Sequence, residues 1–245
     1  MDNRRKKLAL IVLIVAAISI VAIKQLNDGQ IKSLSEAIDA YHRGMYEESL
    51  SFVDEMIEIF PSDPELYYWK AKNQIEMGDV ENGVLSLNKA ILFQPSNAVY
   101  LNERALIYMD TEEYSKAYRD YSKAILVSPN VPELYSNLGN CASIMGEDSI
   151  AIDVLNKGLI VDSEFGLLYY HRGIAYYNLR MYNQSIEDFK QSYMLDSNLI
   201  SSHLFMGMCF TRMGDTISGC EKFNLAYNMG MTDALEYLIM YNCKE

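Results

Sequence analysis

The sequence contains few of the residues on which most enzymes and metal sites depend. It has three histidines, four cysteines and one tryptophan in 245 residues. There is no His-x-x-x-His pair, no paired-cysteine motif, no glycine-rich phosphate loop and no Gly-x-Ser-x-Gly element. Acidic residues are common but scattered, and none forms a carboxylate pair suited to acid–base chemistry. We therefore expect no catalysis, no metal, no cofactor and no small-molecule substrate.

Basic residues are also scarce outside the N-terminus. Residues 30–245 hold 31 acidic and 16 basic side chains, a net charge of −15. A surface of this sign repels the phosphate backbone of nucleic acids. Nucleic acid is therefore not an expected partner.

One long apolar run is present, and it directly follows a basic cluster. Residues 8–23 carry no charge, whereas residues 4–7 are all Lys or Arg. A helix of this length spans about 24 Å, somewhat less than a hydrocarbon core of about 30 Å. The run is either a membrane anchor, which we favour because Ile20 disrupts the spacing of a cleavage site, or a cleaved signal peptide, or a buried helix. As an anchor it predicts a cytoplasmic N-terminus and a periplasmic or lumenal body, with secretion after cleavage as the alternative.

The rest of the sequence repeats with a period of 34 residues. Pro61, Pro95 and Pro129 are spaced by this interval. A second series on the same interval consists of Gly44, Gly78, Glu112, Gly146, Arg180 and Gly214. Within each unit, apolar or small residues recur at steps of three and four, which predicts two helices joined by a short polar turn. The prolines are expected to end the second helix, because proline cannot continue its hydrogen bonds.

This unit resembles the tetratricopeptide repeat. Residues 98–131 match that family's pattern of small, aromatic and proline positions with Ala105, Tyr108, Ala117, Tyr121, Ala124 and Pro129. The resemblance covers six units, at 30–63, 64–97, 98–131, 132–165, 166–199 and 200–233. It implies an all-α fold, a right-handed α-solenoid of helix-turn-helix repeats. Residues 234–245 would form a capping helix, and residues 1–29 would be a separate segment with an apolar helix and a short linker.

The resemblance also implies a concave groove lined by the first helix of each repeat. The residues that we expect to bind a protein or peptide there are Tyr68, Trp69, Lys72, Asn102, Asn137, Asn140, Tyr170, His171 and Tyr177. Aromatic rings supply contact area, and asparagine amides can bond a peptide backbone. The groove contains one lysine, so an acidic ligand is not favoured.

Tyrosines in the fifth unit divide into two stripes by position. Tyr169, Gly173 and Tyr176 take the positions that pack one repeat against the next. Tyr170 and Tyr177 lie one residue further along, rotated by about 100° around the helix. The second stripe is therefore expected to face the groove.

The four cysteines allow one disulfide. Cys141, Cys209 and Cys243 occupy equivalent positions in separate units, which are too far apart for a bond. Cys220 lies beside the capping helix, so a bond from Cys220 to Cys243 is geometrically allowed. The alternative is that all four are unpaired packing residues.

Together these features predict a membrane-anchored, non-enzymatic scaffold that binds a protein or peptide in the groove of its repeats. The alternative is a structural protein that self-associates into a homo-oligomer within an envelope or secretory-compartment assembly.

Overall fold

The computed structural model describes residues 33–243, and every regular element in that range is a helix. α1 comprises the helical residues 33–42. The others are α2 (Tyr46–Ile59), α3 (Pro64–Glu76), α4 (Val80–Phe93), α5 (Ala98–Asp110), α6 (Tyr114–Val127), α7 (Pro132–Ile144), α8 (Asp148–Val161), α9 (Gly166–Asn178), α10 (Tyr182–Leu195), α11 (Ser201–Arg212), α12 (Thr216–Asn228) and α13 (Ala234–Met240). The all-α prediction is confirmed. Its handedness stays a prediction, and the apolar run at 8–23 lies outside the described residues.

The chain divides into two compact units after Pro95. In the N-terminal unit, residues 33–95, α2 packs on α3 and α3 on α4. In the C-terminal unit, residues 96–243, each helix from α5 to α13 packs on the next helix in sequence, and α7 also contacts α9. Within residues 33–233, each of the six 34-residue units thus contains a pair of helices. No helix within residues 33–243 is both long enough and apolar enough to span a membrane.

The turns within the helix pairs share one backbone conformation, which explains the glycine series. Gly78 has φ of 83°, and the N–H of Asp79 donates to the carbonyl of Gln74 at 2.8 Å. This arrangement satisfies carbonyls at the helix end and requires a left-handed residue. Glu112 and Arg180 adopt it as well, with φ of 60° and 62°. Position in the repeat therefore imposes the conformation, even where the residue is not glycine.

Small residues let the two helices of a repeat approach closely. A Cβ atom on Gly173 would lie 2.9 Å from the Phe189 ring, and one on Gly207 would lie 2.5 Å from the Phe223 ring. Both phenylalanines are fully buried. In these two repeats, the phenylalanine of the second helix therefore fits because the first helix has no side chain at the contact.

The C-terminal end of the fold is closed by stacked rings and a covalent bond. Phe223 stacks on Tyr237 at 5.1 Å between centroids. Cys220 and Cys243 form a disulfide with Cα atoms 5.4 Å apart, so that α13 is linked to α12. Cys141 and Cys209 are buried and free, and burial raises the pKa of each thiol to about 11.

Candidate protein-binding surface

The first helices α5, α7, α9 and α11 of the C-terminal unit are joined by side-chain contacts, and we call their shared face the inner wall. Asn137 Nδ2 donates to Asn102 Oδ1 at 3.1 Å, which joins α7 to α5. Arg212 Nε lies 3.4 Å from the Tyr177 hydroxyl, which joins α11 to α9. Both contacts link residues 35 positions apart. The inner wall is therefore built partly by the residues that were expected to bind a partner.

A third contact of the same kind joins α9 to α7. Asn178 Nδ2 donates to Asp148 Oδ1 at 2.9 Å and to Ser143 Oγ at 3.2 Å. Ser143 itself donates to Asp148 at 2.5 Å, and both residues are buried. Sequence reasoning missed this group, although the interval of 35 residues between Ser143 and Asn178 is a detectable signal.

The tyrosines of the second stripe contact the following repeat. The ring centroid of Phe205 lies 5.9 Å from that of Tyr170 and 6.2 Å from that of Tyr177. Phe205 also stacks on Phe189 at 5.0 Å. All these side chains except Phe189 are only partly buried. Tyr170 and Tyr177 therefore pack between repeats and expose only part of their surface on the inner wall.

His171 lies beside Tyr170 as a neutral imidazole. Burial lowers the pKa of His171 to about 4. Its Nδ1 atom is shielded from solvent and has no hydrogen-bond partner within residues 33–243. The Asn140 side chain also makes no hydrogen bond within the described part of the chain, but it is partly exposed. Among Asn102, Asn137 and Asn140, the Asn140 side chain is thus the one without a hydrogen bond in the described residues.

The predicted residues of the N-terminal unit form a separate aromatic cluster. The Trp69 ring centroid lies 5.4 Å from that of Tyr41 and 5.6 Å from that of Tyr68. Tyr41 donates to Glu76 Oε1 at 3.0 Å, again across 35 residues. Trp69 also packs on the core of this unit, and Lys72 is partly buried on α3.

The family model of the tetratricopeptide repeat matches residues 64–97, 98–131 and 167–199. These three segments resemble tetratricopeptide repeats, and together they make up 101 of the 245 residues. Two of these segments coincide with units that the sequence period delimits, and the third begins one residue later.

Curated relatives of the chain share short parts of their length with it. It is 30% identical over 120 residues to the DnaJ homolog subfamily C member 3 homolog of Dictyostelium discoideum, which is 47% of this chain and 24% of that protein. It is 25% identical over 155 residues to human tetratricopeptide repeat protein 13, which is 63% of this chain and 14% of that protein. The chain therefore matches only about a quarter or less of these relatives.

Solved structures match more of the chain but with lower identity. PilF of Pseudomonas aeruginosa superposes with a TM-score of 0.73 at 16% identity, covering 88% of this chain and 99% of that one. YrrB, described as a tetratricopeptide protein with an unusual peptide-binding site, gives a TM-score of 0.61 at 16% identity, covering 76% and 96%. At these identities the likeness concerns the fold.

Two of the 34-residue repeats also contain a largely buried ion pair that the sequence reasoning missed. Arg172 Nε and Nη2 each lie 2.7 Å from an oxygen of Asp188. Arg104 makes the same bidentate pair with Asp120, at 2.6 and 2.9 Å. Each pair spans 16 residues, and the two pairs are offset by two repeats, which is the signal that could have found them.

The Arg172 pair explains the first tyrosine stripe. The guanidinium lies 5.4 Å from the Tyr169 ring centroid and 5.8 Å from that of Tyr176. Its Nη1 donates to Asn156 Oδ1 at 2.6 Å, which reaches the preceding repeat. Tyr169 and Tyr176 were expected simply to pack one repeat on the next. They are partly buried around a cation, an arrangement that desolvates the charge and strengthens cation–π attraction.

Proposed function

We propose that the chain is a membrane-anchored scaffold that binds an extended segment of a partner protein along the inner wall of its C-terminal unit. Tetratricopeptide repeats bind protein or peptide partners. One observation supports the inner wall as the binding surface: it presents a polar side chain without a hydrogen-bond partner between exposed apolar side chains. Asn140 offers a free amide, while Leu106 and Ile144 are 39% and 50% exposed.

The spacing of these residues places them on one continuous strip. Asn137, Asn140 and Ile144 are three and seven residues apart on α7, so they share one helix face. Leu106 follows Asn102 by four residues on α5, and Asn102 is bonded to Asn137. An extended peptide presents amides and alternating side chains, which this strip would meet with an amide and two apolar contacts.

Charge favours a neutral or basic partner segment. Residues 96–243 hold 18 acidic and 10 basic side chains, a net charge of −8. An acidic peptide would be repelled during its approach, whereas a basic one would be attracted. The partner class that we propose is therefore an apolar segment with basic flanks.

Photo-crosslinking tests the proposed surface. Benzoylphenylalanine placed at Ile144 in the full chain, within its native cells, is expected to capture a specific partner. The control position is Ile160 on α8, which is 86% exposed but lies off the inner wall. Leu106→Glu should abolish the product at position 144 while the chain stays folded, because Leu106 is partly exposed. Equal products at both positions, or a product insensitive to Leu106→Glu, would contradict the proposal.

The membrane part of the proposal has its own support. Residues 8–23 are apolar and follow the basic residues 4–7. The Cys220–Cys243 disulfide fits an oxidising compartment, which agrees with a body beyond the cytoplasmic membrane face. Membranes from native cells, washed in alkaline carbonate, should retain the chain. A mature mass that lacks residues 1–23 would replace the anchor with a cleaved signal, and release of the chain with these residues intact would replace it with a buried helix.

Self-association is a second candidate, because α13 carries an uncovered apolar face. Met206 is 4% exposed, whereas Met240, one repeat later, is 62% exposed. Within residues 33–243 no second helix covers α13, and Leu235 and Ile239 are 43% and 72% exposed. Sedimentation of the purified full chain, with Ile239→Lys as the control variant, tests this candidate. A concentration-dependent dimer that the substitution dissociates would support it, and a monomer at all concentrations would remove it.

A further inference from the structure

A half-open cavity of about 370 Å³ lies between α10, α11 and α12, away from the inner wall. Its lining is divided into apolar and charged parts. The apolar residues are Ile186, Tyr193, Met194, Met206 and Phe210, and the polar ones are Glu187, Lys190, His203 and Lys222. We call it the two-lysine pocket. Its volume is at the lower end of the range for small-molecule sites in proteins, about 300–1,000 Å³.

The two-lysine pocket occupies the place of the ion pair in the preceding repeat. There, Arg172 lies between Asp188 and Asn156. Thirty-four residues later, Met206 replaces the arginine, Lys222 replaces the aspartate and Lys190 replaces the asparagine. The cation at the centre is thus lost, and both of its oxygen-bearing partners have become cations.

The polar groups of the pocket lack acceptors. Neither Lys190 nor Lys222 has an ion pair within residues 33–243. Glu187 lies exposed at the rim and pairs with neither. His203 is 6% exposed, and neither of its nitrogens has a hydrogen-bond partner in the described part of the chain. A buried polar group without a hydrogen-bond partner destabilises a protein by about 1–3 kcal/mol. Binding of an acceptor that reached the His203 imidazole would therefore be favoured.

We propose that the two-lysine pocket binds an apolar group that bears a carboxylate. The carboxylate lies between Lys190 and Lys222 and accepts from His203, and the hydrocarbon part lies on Met206 and Phe210. A carboxylate fits better than a phosphate dianion, because the apolar lining penalises a second charge. The ligand is either a free acid or the C-terminal residue of a peptide, and both present the same chemistry. This inference does not depend on the inner wall.

Tyr193 is the residue whose ring must rotate to admit the ligand. Its ring centroid lies 4.3 Å from that of His203 and shields the imidazole from solvent. Its hydroxyl has only a weak contact, 3.9 Å from Met229 Sδ. Rotation of this ring therefore breaks no strong bond, and it opens the imidazole to a carboxylate held by the lysines.

Histidine NMR on the purified full chain tests the proposal. The chain has three histidines, so substitution of each assigns the His203 signal. Burial and the nearby Lys222 ammonium lower the pKa of His203 below its usual range. A carboxylate near the imidazole opposes the charges of Lys190 and Lys222, adds to that of Glu187, and should raise this pKa. Hexanoate is expected to shift the signal saturably, with a Kd on the order of 1 mM for so small a ligand.

Two variants and two further ligands make the test specific. Lys190→Gln with Lys222→Gln removes the charges and should weaken hexanoate binding at least tenfold. The triple variant Lys190→Asn, Met206→Arg and Lys222→Asp rebuilds the preceding repeat and should abolish binding in a folded chain. Acetyl-Ala-Phe, compared with its C-terminal amide, tests the peptide source, and tighter binding of either acid identifies the source. The proposal is overturned if neither acid binds, if hexanol binds equally well, or if the charge-free variant binds unchanged.

Discussion

Repeats 132–165 and 166–199 place different chemistry at the same positions of one fold. Leu138 and Val154 in the first are 5% and 9% exposed. Arg172 and Asp188 take these positions in the second, with side chains 17% and 8% exposed. An apolar pair and a bidentate ion pair thus fill the same space between two helices. The fold of the repeat is compatible with either pair, provided that the side chains fill the space and that any buried charge has a partner.

Two other positions differ between the same repeats. His171 stands where the preceding repeat has Asn137, and Arg180 stands where it has Gly146. Asn137 is hydrogen-bonded, whereas the Nδ1 of His171 is not. Arg180 holds the left-handed conformation that suits Gly146. Repeat 166–199 therefore contains an ion pair, a buried imidazole and a left-handed arginine that repeat 132–165 lacks. Replacing each of these residues by its counterpart in repeat 132–165 tests its effect on stability.

The largest expected effect comes from breaking the ion pair on one side. Asp188→Ala leaves the Arg172 guanidinium buried without its carboxylate, and should destabilise the C-terminal unit by about 3–5 kcal/mol. Val154→Ala at the equivalent position removes only apolar contact and is the matched control, with a smaller loss. Urea unfolding of the full chain measures both. A loss for Asp188→Ala no greater than that for Val154→Ala would show that the charge is not held by this pair.

The next effect is a dependence of stability on pH that only the later repeat has. The pKa of His171 is lowered to about 4 by burial, whereas an unfolded histidine titrates near about 6.5. The unfolded chain therefore binds the proton first, and stability is lost as the pH falls from about 6.5 to about 4. We expect a loss of about 1–3 kcal/mol, allowing for the partial exposure of the side chain. His171→Asn, the neighbour's residue, should flatten this part of the unfolding profile; an unchanged slope would contradict the assignment.

A smaller effect of opposite sign is expected at the turn. Arg180→Gly relieves a left-handed residue with φ of 62° and should stabilise the chain by about 0.5–1 kcal/mol. Gly146→Ala should destabilise it, because φ of 82° suits glycine. Midpoints of urea unfolding give both signs. Two changes of the same sign would mean that the local backbone is not what distinguishes the two turns.

The smallest expected effect is that of the complete exchange. Arg172→Leu with Asp188→Val installs the pair of the preceding repeat and should leave stability within about 1 kcal/mol of the parent chain. The two single variants and the double variant form a thermodynamic cycle, and the magnitude of its coupling energy should approach the summed losses of Arg172→Leu and Asp188→Val. Additive losses of stability would show that an apolar pair cannot replace the ion pair in repeat 166–199.

Much of the fold follows from the sequence because the repeat imposes it many times over. The series from Gly44 to Gly214 marks six turns, and the interval alone identifies Glu112 and Arg180 as members. The contact between Cys220 and Cys243 was also foreseeable, since it depends only on which helix follows which. Such features recur in register, so a single sequence displays them as a pattern.

The candidate surfaces were harder to predict because they depend on what differs between repeats. Tyr170 and Tyr177 have the right helix position to face the inner wall, but Phe205 of the next repeat covers part of each. Arg172 recurs only as Arg104, two repeats earlier, and Lys222 takes a position that holds aspartate in both of those repeats, so the 34-residue pattern marks the first weakly and the second not at all. Their roles arise from the side chains that happen to occupy neighbouring repeats, which the averaged pattern does not contain.

The disulfide also decides how the fold would carry mechanical load. Tension applied to the chain beyond Cys243 passes through the bond to Cys220, 23 residues earlier, and bypasses α13. The rings of Tyr237 and Tyr241 can then stay stacked on Phe223 while α12 bears the pull. Under reducing conditions the same pull would reach α13 first and release up to about 80 Å of additional chain. The oxidation state of one cysteine pair thus determines which helix is the first to unravel under force.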